Sequence, residues 1–208
     1  MSRPVPGGVI AVVRAGTAAE GRTIVRGLIG AGVPAIELTM TVPEAVSIIG
    51  SFSSSFVGAG TVLDAASCAS CVSAGARFIV SPVTDPDVLE EAHRGGVPYV
   101  GGALTPTEVL ASMRAGADAV KIFPVGAVGG AGYLRTLREP LPALRAVVSG
   151  GIAVGEVGGY LAAGAHAVCL GGALIDREAA RRGDVDAVAA WARRVMREIT
   201  EGRHAEDH

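Results

Sequence analysis

Two charged residues stand inside apolar runs. Lys121, in Ala119-Val120-Lys121-Ile122-Phe123, is the only lysine of a 208-residue chain that otherwise draws its positive charge from arginine. Glu37 stands in Ala35-Ile36-Glu37-Leu38-Thr39. A lysine amine that loses its proton is a nucleophile and attacks a ketone to form a Schiff base; arginine stays protonated and cannot. A carboxyl group whose pKa lies near working pH can pass protons in both directions. Imine chemistry assisted by a carboxylate is therefore what this pair could perform. A solvated strand end, or one buried structural ion pair, would use the same residues. Burial disfavours an ammonium, so the Lys121 pKa is expected to fall.

What would bring the two together is legible in the segments around them. "AGVPAIELT", "AGARFIVSP", "GGVPYVGG", "AGADAVKIFP" and "AGAHAVCLGG" each join a small-residue pair to a short apolar strand. Their spacing suits one strand plus one helix. Strands are expected near 9–13, 35–39, 56–59, 78–81, 98–101, 119–122, 146–149 and 167–170. Helix-length segments lie between them, such as 17–30 and 105–115, the latter opening on Thr105-Pro106-Thr107-Glu108. Eight βα units give an α/β fold, the closed (β/α)8 TIM barrel. A dinucleotide-binding sheet would need a GxGxxG after the first strand, and "VVRAGTAAEG" does not match it. Residues 1–200 are read as a single barrel domain and the polar 201–208 as a disordered tail. Period-two alternation turns Val120 and Ile122 toward the helices and Lys121 inward. The same pattern turns Glu37 inward between Ile36 and Leu38.

Barrel chemistry gathers at the C-terminal strand ends. In chain order those ends carry Arg14, then Thr39 and Thr41, Thr61, Ser81-Pro82, Gly101-Gly102, Lys121, Ser149-Gly150-Gly151 and Gly171-Gly172. The glycine pairs after strands seven and eight suit a phosphate, cradled by backbone N–H groups that no side chain covers. Plain turns would also use glycine.

Composition removes several classes. Half the residues are apolar and the formal net charge is −2, so no basic face recommends nucleic acid or a membrane surface. No apolar run reaches the roughly 18 residues of a membrane span, and "VIAVV" is too short for a signal segment. A cytoplasmic protein is expected. Cys68 and Cys71 form a CxxC within a helical stretch, and Cys169 lies in a strand; all three read as structural. His93, His166, His204 and His208 show no ligand spacing, so no metal is expected.

Taken together, "IELTMTVPEA", "VGAGTVLD", "FIVSPVTDP", "GGALTPTEV", "VKIFPVGAVGG" and "VVSGGI" resemble the class I 2-keto-3-deoxy-6-phosphogluconate (KDPG) and 4-hydroxy-2-oxoglutarate (KHG) aldolases. The resemblance runs from about residue 9 to 175. It implies a (β/α)8 barrel, a homotrimer, no cofactor or metal, and a covalent imine on lysine. It implies Lys121 as the imine former, Glu37 as the general acid/base, and Thr61, Pro82 and Phe123 about the pyruvyl end, with Thr39 beside them. Gly150, Gly151, Gly171 and Gly172 match the phosphate loops. The implied substrate is a small 2-keto acid, phosphorylated in the KDPG case.

Departures from the pattern matter. Where gluconate-type members carry an arginine for the carboxylate, this chain has Thr41; Arg14 resembles the arginine of galactonate-type members and would replace it. Ala173 stands where a serine often follows the last glycine pair. Ser149 favours gluconate-type stereochemistry. A 2-keto-3-deoxy-6-phosphogalactonate aldolase, another phosphate-binding barrel such as an epimerase or thiamine-phosphate synthase, and a non-catalytic phosphate-binding barrel stay open as alternatives.

Overall fold

A computed structural model describes residues 4–206. Eight parallel strands close a barrel in chain order: β1 (Gly8–Val13), β2 (Ala35–Thr39), β3 (Val57–Gly60), β4 (Ile79–Val80), β5 (Tyr99–Ala103), β6 (Ala119–Ile122), β7 (Ala146–Ser149) and β8 (Ala167–Leu170). The ring shuts where β1 meets β8, with Gly8 opposite Ala167 and Ala11 opposite Leu170. Each expected strand is present, and β4 is shorter than its expected span. The helices are α1 (Ala18–Gly30), α2 (Ala45–Ser51), α3 (Ala65–Ser73), α4 (Pro86–Arg94), α5 (Pro106–Ala115), α6 (Gly130–Arg138), α7 (Val157–Ala162), α8 (Arg177–Arg181) and α9 (Val185–Glu206).

Local chemistry sets the helix starts. At α5 the Thr105 hydroxyl accepts from the Glu108 N–H at 3.3 Å. The Glu108 carboxylate accepts from the Thr105 N–H at 2.8 Å, which completes a capping box ahead of Pro106. Asp64 and Asp85 cap α3 and α4 in the same manner. The end of the chain differs from expectation: α9 runs on to Glu206, so the stretch from 201 begins as helix, and 207–208 lie outside the described residues. Val188, Ala192, Val195 and Ile199 form the buried side of α9.

Strand alternation divides the core in two. Ile10, Val12, Ala35, Phe78, Val80, Val100, Ala119, Val147, Ala167 and Cys169 fill the barrel interior. Their neighbours along the same strands, such as Ala11, Ile36, Leu38, Ile79, Val120, Ile122, Val148 and Val168, pack beneath the helices. Lys121 and Glu37 take interior positions, since both their flanking residues belong to the outer layer. No helix among the described residues is long and apolar enough to cross a membrane.

Candidate active site

Strand β6 carries Lys121 between Gly102 of β5 and Val147 of β7. Strand β2 carries Glu37 between Val12 of β1 and Gly58 of β3. The two side chains reach across the barrel from these walls. Lys121 Nζ donates to Glu37 Oε1 at 3.2 Å and lies 3.4 Å from Oε2. Lys121 is 5% exposed and Glu37 not at all. Room for the carboxylate comes from Gly60 on β3: a Cβ there would stand 2.2 Å from Glu37 Oε1 and 2.5 Å from its Cγ.

The pKa expectation for Lys121 is overturned. Burial is the largest single influence and pushes the ammonium down, but the charge and hydrogen bond of Glu37, together with Cys169, outweigh it and hold the lysine above its ordinary value. Arg14 acts weakly in the opposite direction. Sequence alone weighed the apolar strand and not the contact that the barrel imposes. As the side chains stand, the two are held as an ion pair at 3.2 Å.

Cys169 was set aside in the sequence, yet it belongs to this constellation. Its Sγ lies 4.0 Å from Glu37 Oε2, at the limit of a thiol hydrogen bond, with the Ser149 hydroxyl beside it. Burial first, then the Glu37 charge, pushes its thiol up to about 12, so it stays protonated. The alternation of "AVCLGG" was the available signal: it turns Cys169 inward on β8, as it does Lys121 on β6. Glu20 was also missed. It is buried on α1 and accepts from the Gly16 N–H at 3.0 Å, which steadies the loop that follows Arg14.

Of the remaining expected residues, all but Thr39 and Thr61 line one or both of two cavities that share Phe123. One, of about 410 Å³, is lined by Arg14, Phe123, Ser149, Gly150, Gly151, Cys169, Gly171 and Gly172 among others. The other, of about 490 Å³, includes Pro82, Val83, Gly102, Ala103 and Phe123. The Phe123 ring centroid lies 5.7 Å from Lys121 Nζ. Thr39 and Thr61 line neither cavity. Thr39 is fully buried; its hydroxyl donates to the Val13 carbonyl at 3.0 Å and lies 2.8 Å from the Thr41 hydroxyl. Thr61, at the end of β3, has φ +59°, a left-handed conformation that a β-branched residue rarely holds. Gly150 and Gly151 also have positive φ, at +92° and +74°. Such a turn aims backbone groups into a concavity only where no Cβ obstructs it. The Ala173 carbonyl, just past Gly172, accepts from Trp191 Nε1 on α9 at 2.9 Å. No cluster of three or more His, Cys, Asp or Glu suited to a metal occurs among the described residues.

A (β/α)8 barrel that presents an amine and a carboxylate in contact below glycine loops holds the groups that an aldolase, a lyase working through a lysine imine, would use. Residues 5–191 match the model of the KDPG and KHG aldolases. The chain belongs to that family. It is 32% identical over 176 residues to the KHG/KDPG aldolase of Escherichia coli (strain K12), covering 82% of each chain. It is 30% identical over 192 residues to the 2-dehydro-3-deoxy-phosphogluconate aldolase of Treponema pallidum (strain Nichols), covering 90% of this chain and 91% of that one. Among solved structures, a native KDPGal structure superposes with a TM-score of 0.81 at 27% identity, covering 97% of this chain and all of the other.

Proposed function

We propose that this chain cleaves 2-keto-3-deoxy-6-phosphogluconate to pyruvate and glyceraldehyde 3-phosphate, and 4-hydroxy-2-oxoglutarate to pyruvate and glyoxylate. The observation that carries the reading is the buried 3.2 Å contact between Lys121 Nζ and Glu37 Oε1 at the barrel mouth. Lys121 passes a proton to Glu37 and attacks C2 of the keto acid. The protonated carboxyl returns that proton to the C2 oxygen, a second proton moves to the same oxygen from the attached nitrogen, and the oxygen leaves as water, which yields a protonated imine. Glu37, again a carboxylate, takes the C4 hydroxyl proton while the C3–C4 electron pair collapses toward the imine. The aldehyde departs, and the enamine is protonated at C3 by the same carboxyl group. Water then hydrolyses the imine and frees pyruvate.

In this reading Arg14 pairs with the substrate carboxylate and the glycine loops hold the phosphate, while Thr61, Pro82 and Phe123 border the pyruvyl end. Thr39 acts indirectly, through its hydrogen bonds to Val13 and Thr41. Ser149, a residue of the cavity lining, is taken to favour the gluconate-type epimer over the galactonate-type one. The chain is taken to work in the cytoplasm as a homotrimer. Exposed Leu63 and Val83, on the loops after β3 and β4, are apolar surface that a subunit contact would cover. Light scattering on the purified protein checks the trimer.

The decisive experiment incubates the protein with pyruvate, reduces with borohydride and maps the mass adduct. The adduct is expected on Lys121, with none formed by Lys121→Ala or Lys121→Arg. An unmodified Lys121 in the wild type would overturn the assignment. A panel of phosphorylated and unphosphorylated 2-keto acids, including both epimers, then ranks the substrates.

A further inference from the structure

Ala173 brings no hydroxyl to the loop after β8, and the side chain of that loop able to donate is Arg177. From Gly171 to Arg177 the side chains are Ala, Leu, Ile, Asp and Arg beyond the two glycines, so only the arginine carries hydrogen-bond donors. Its guanidinium comes close to the glycine pair: a Cβ built on Gly172 would lie 3.7 Å from Arg177 Nη2 and 3.8 Å from Nε. Gly172 itself lines the 410 Å³ cavity together with Arg14, Gly150 and Gly151. Neighbouring carboxylates do not claim the arginine. Asp176 is occupied in capping α8, accepting from the Ala179 N–H at 3.0 Å. Glu178 pairs with Arg182 at 2.6 Å. Arg177 is exposed and makes no ion pair among the described residues.

We propose that Arg177 is a specificity-determining residue that clamps the substrate's phosphate over Gly172, supplying by charge what the Ala173 position no longer supplies by a hydroxyl. The inference rests on the reading above, that the glycine loops hold a phosphate. A planar guanidinium can give two parallel N–H···O bonds to one phosphate, with the backbone N–H groups of the glycine pairs meeting its other oxygens. Arg14, at the end of β1, remains for the carboxylate. The side chain thereby favours phosphorylated over unphosphorylated keto acids without touching the reacting carbons.

The test measures KM and kcat with the phosphorylated substrate, and the competitive inhibition constant of inorganic phosphate, for wild type, Arg177→Gln and Arg177→Lys. In Arg177→Gln both KM and the phosphate inhibition constant are expected to rise about tenfold, in line with one charge-assisted contact at an exposed position. The loss should fall in KM and not in kcat, and Arg177→Lys should recover most of it. A merely structural role would lower kcat and thermal stability and leave the phosphate constant unmoved. If wild type prefers phosphorylated substrate and Arg177→Gln keeps the same phosphate constant within twofold, Arg177 is not the clamp. If wild type is indifferent to inorganic phosphate and to substrate phosphorylation, the phosphate loops themselves are misread and the clamp goes with them.

Discussion

Replacing Gly60 by alanine disturbs the Glu37 carboxylate without substituting either member of the pair. The added methyl would stand 2.2 Å from Glu37 Oε1, 2.5 Å from Cγ and 2.6 Å from Cδ. Ordinary contact begins near 3.5 Å, so Glu37 must retreat by about 1 Å. With Val12 and Cys169 packed around it, that retreat draws the carboxylate out of hydrogen-bond reach of Lys121 Nζ. A misplacement of about 1 Å in a proton-transfer group costs on the order of 100-fold in turnover. Overpacking of the barrel interior costs a further 1–3 kcal/mol or so of stability. The assay pairs steady-state cleavage with borohydride trapping: Gly60→Ala should lose turnover about 100-fold yet still form the Lys121 adduct. Adding Glu37→Asp to Gly60→Ala shortens the carboxylate and vacates the contested space, so melting temperature should recover while turnover stays low. Turnover of Gly60→Ala within threefold of wild type, at equal folded fraction, would refute the close-approach reasoning.

Two further outcomes are expected. Glu37→Gln should slow turnover by about two to four orders of magnitude, and its stability should change sign in its response to alkali. In the wild type Lys121 titrates above its ordinary 10.5, so the pair's stabilisation is fully present below that pH and is lost as pH rises through the raised value. Without the carboxylate, burial alone acts on Lys121 and its pKa falls below 10.5, so stability of Glu37→Gln climbs from neutral pH toward 10.5. Denaturant titrations at several pH values read the slopes, and equal slopes for both proteins would count against the contact. Burial, with lesser help from nearby charges, pushes the thiols of Cys68, Cys71 and Cys169 up to about 12, 11 and 12. Ellman's reagent at pH 8 should therefore find no native thiol and three in denaturant; a fast native equivalent contradicts the burial.

Strand positions were legible because a parallel strand buried on both faces needs a continuous apolar run, and such runs recur here at one βα period. Lys121 and Glu37 were legible as charges interrupting those runs, and alternation sufficed to turn both inward. What sequence could not supply was the distance between them, hence the wrong direction for the Lys121 pKa: Glu37 is 84 residues away along the chain and 3.2 Å away in space. Thr39 was taken for a substrate contact because it sits at a strand end. Its hydroxyl is turned to the Val13 carbonyl, a partner that only the pairing of β1 with β2 brings near. Cys169 and Glu20 went unread for the same reason, since each matters through a neighbour from another strand or loop.

Closure of β1 onto β8 also has a consequence for synthesis. Strand β1 precedes the other seven strands, but its second edge stays unpaired until residues 167–170 emerge from the ribosome, about 160 residues later. The glycine cavity that needs Arg14 from one end of the ring and Gly171–Gly172 from the other cannot exist on a nascent chain shorter than that. Every other strand pairing joins neighbours along the chain, so ring closure is the one pairing that bears a loop-closure cost spanning nearly the whole barrel.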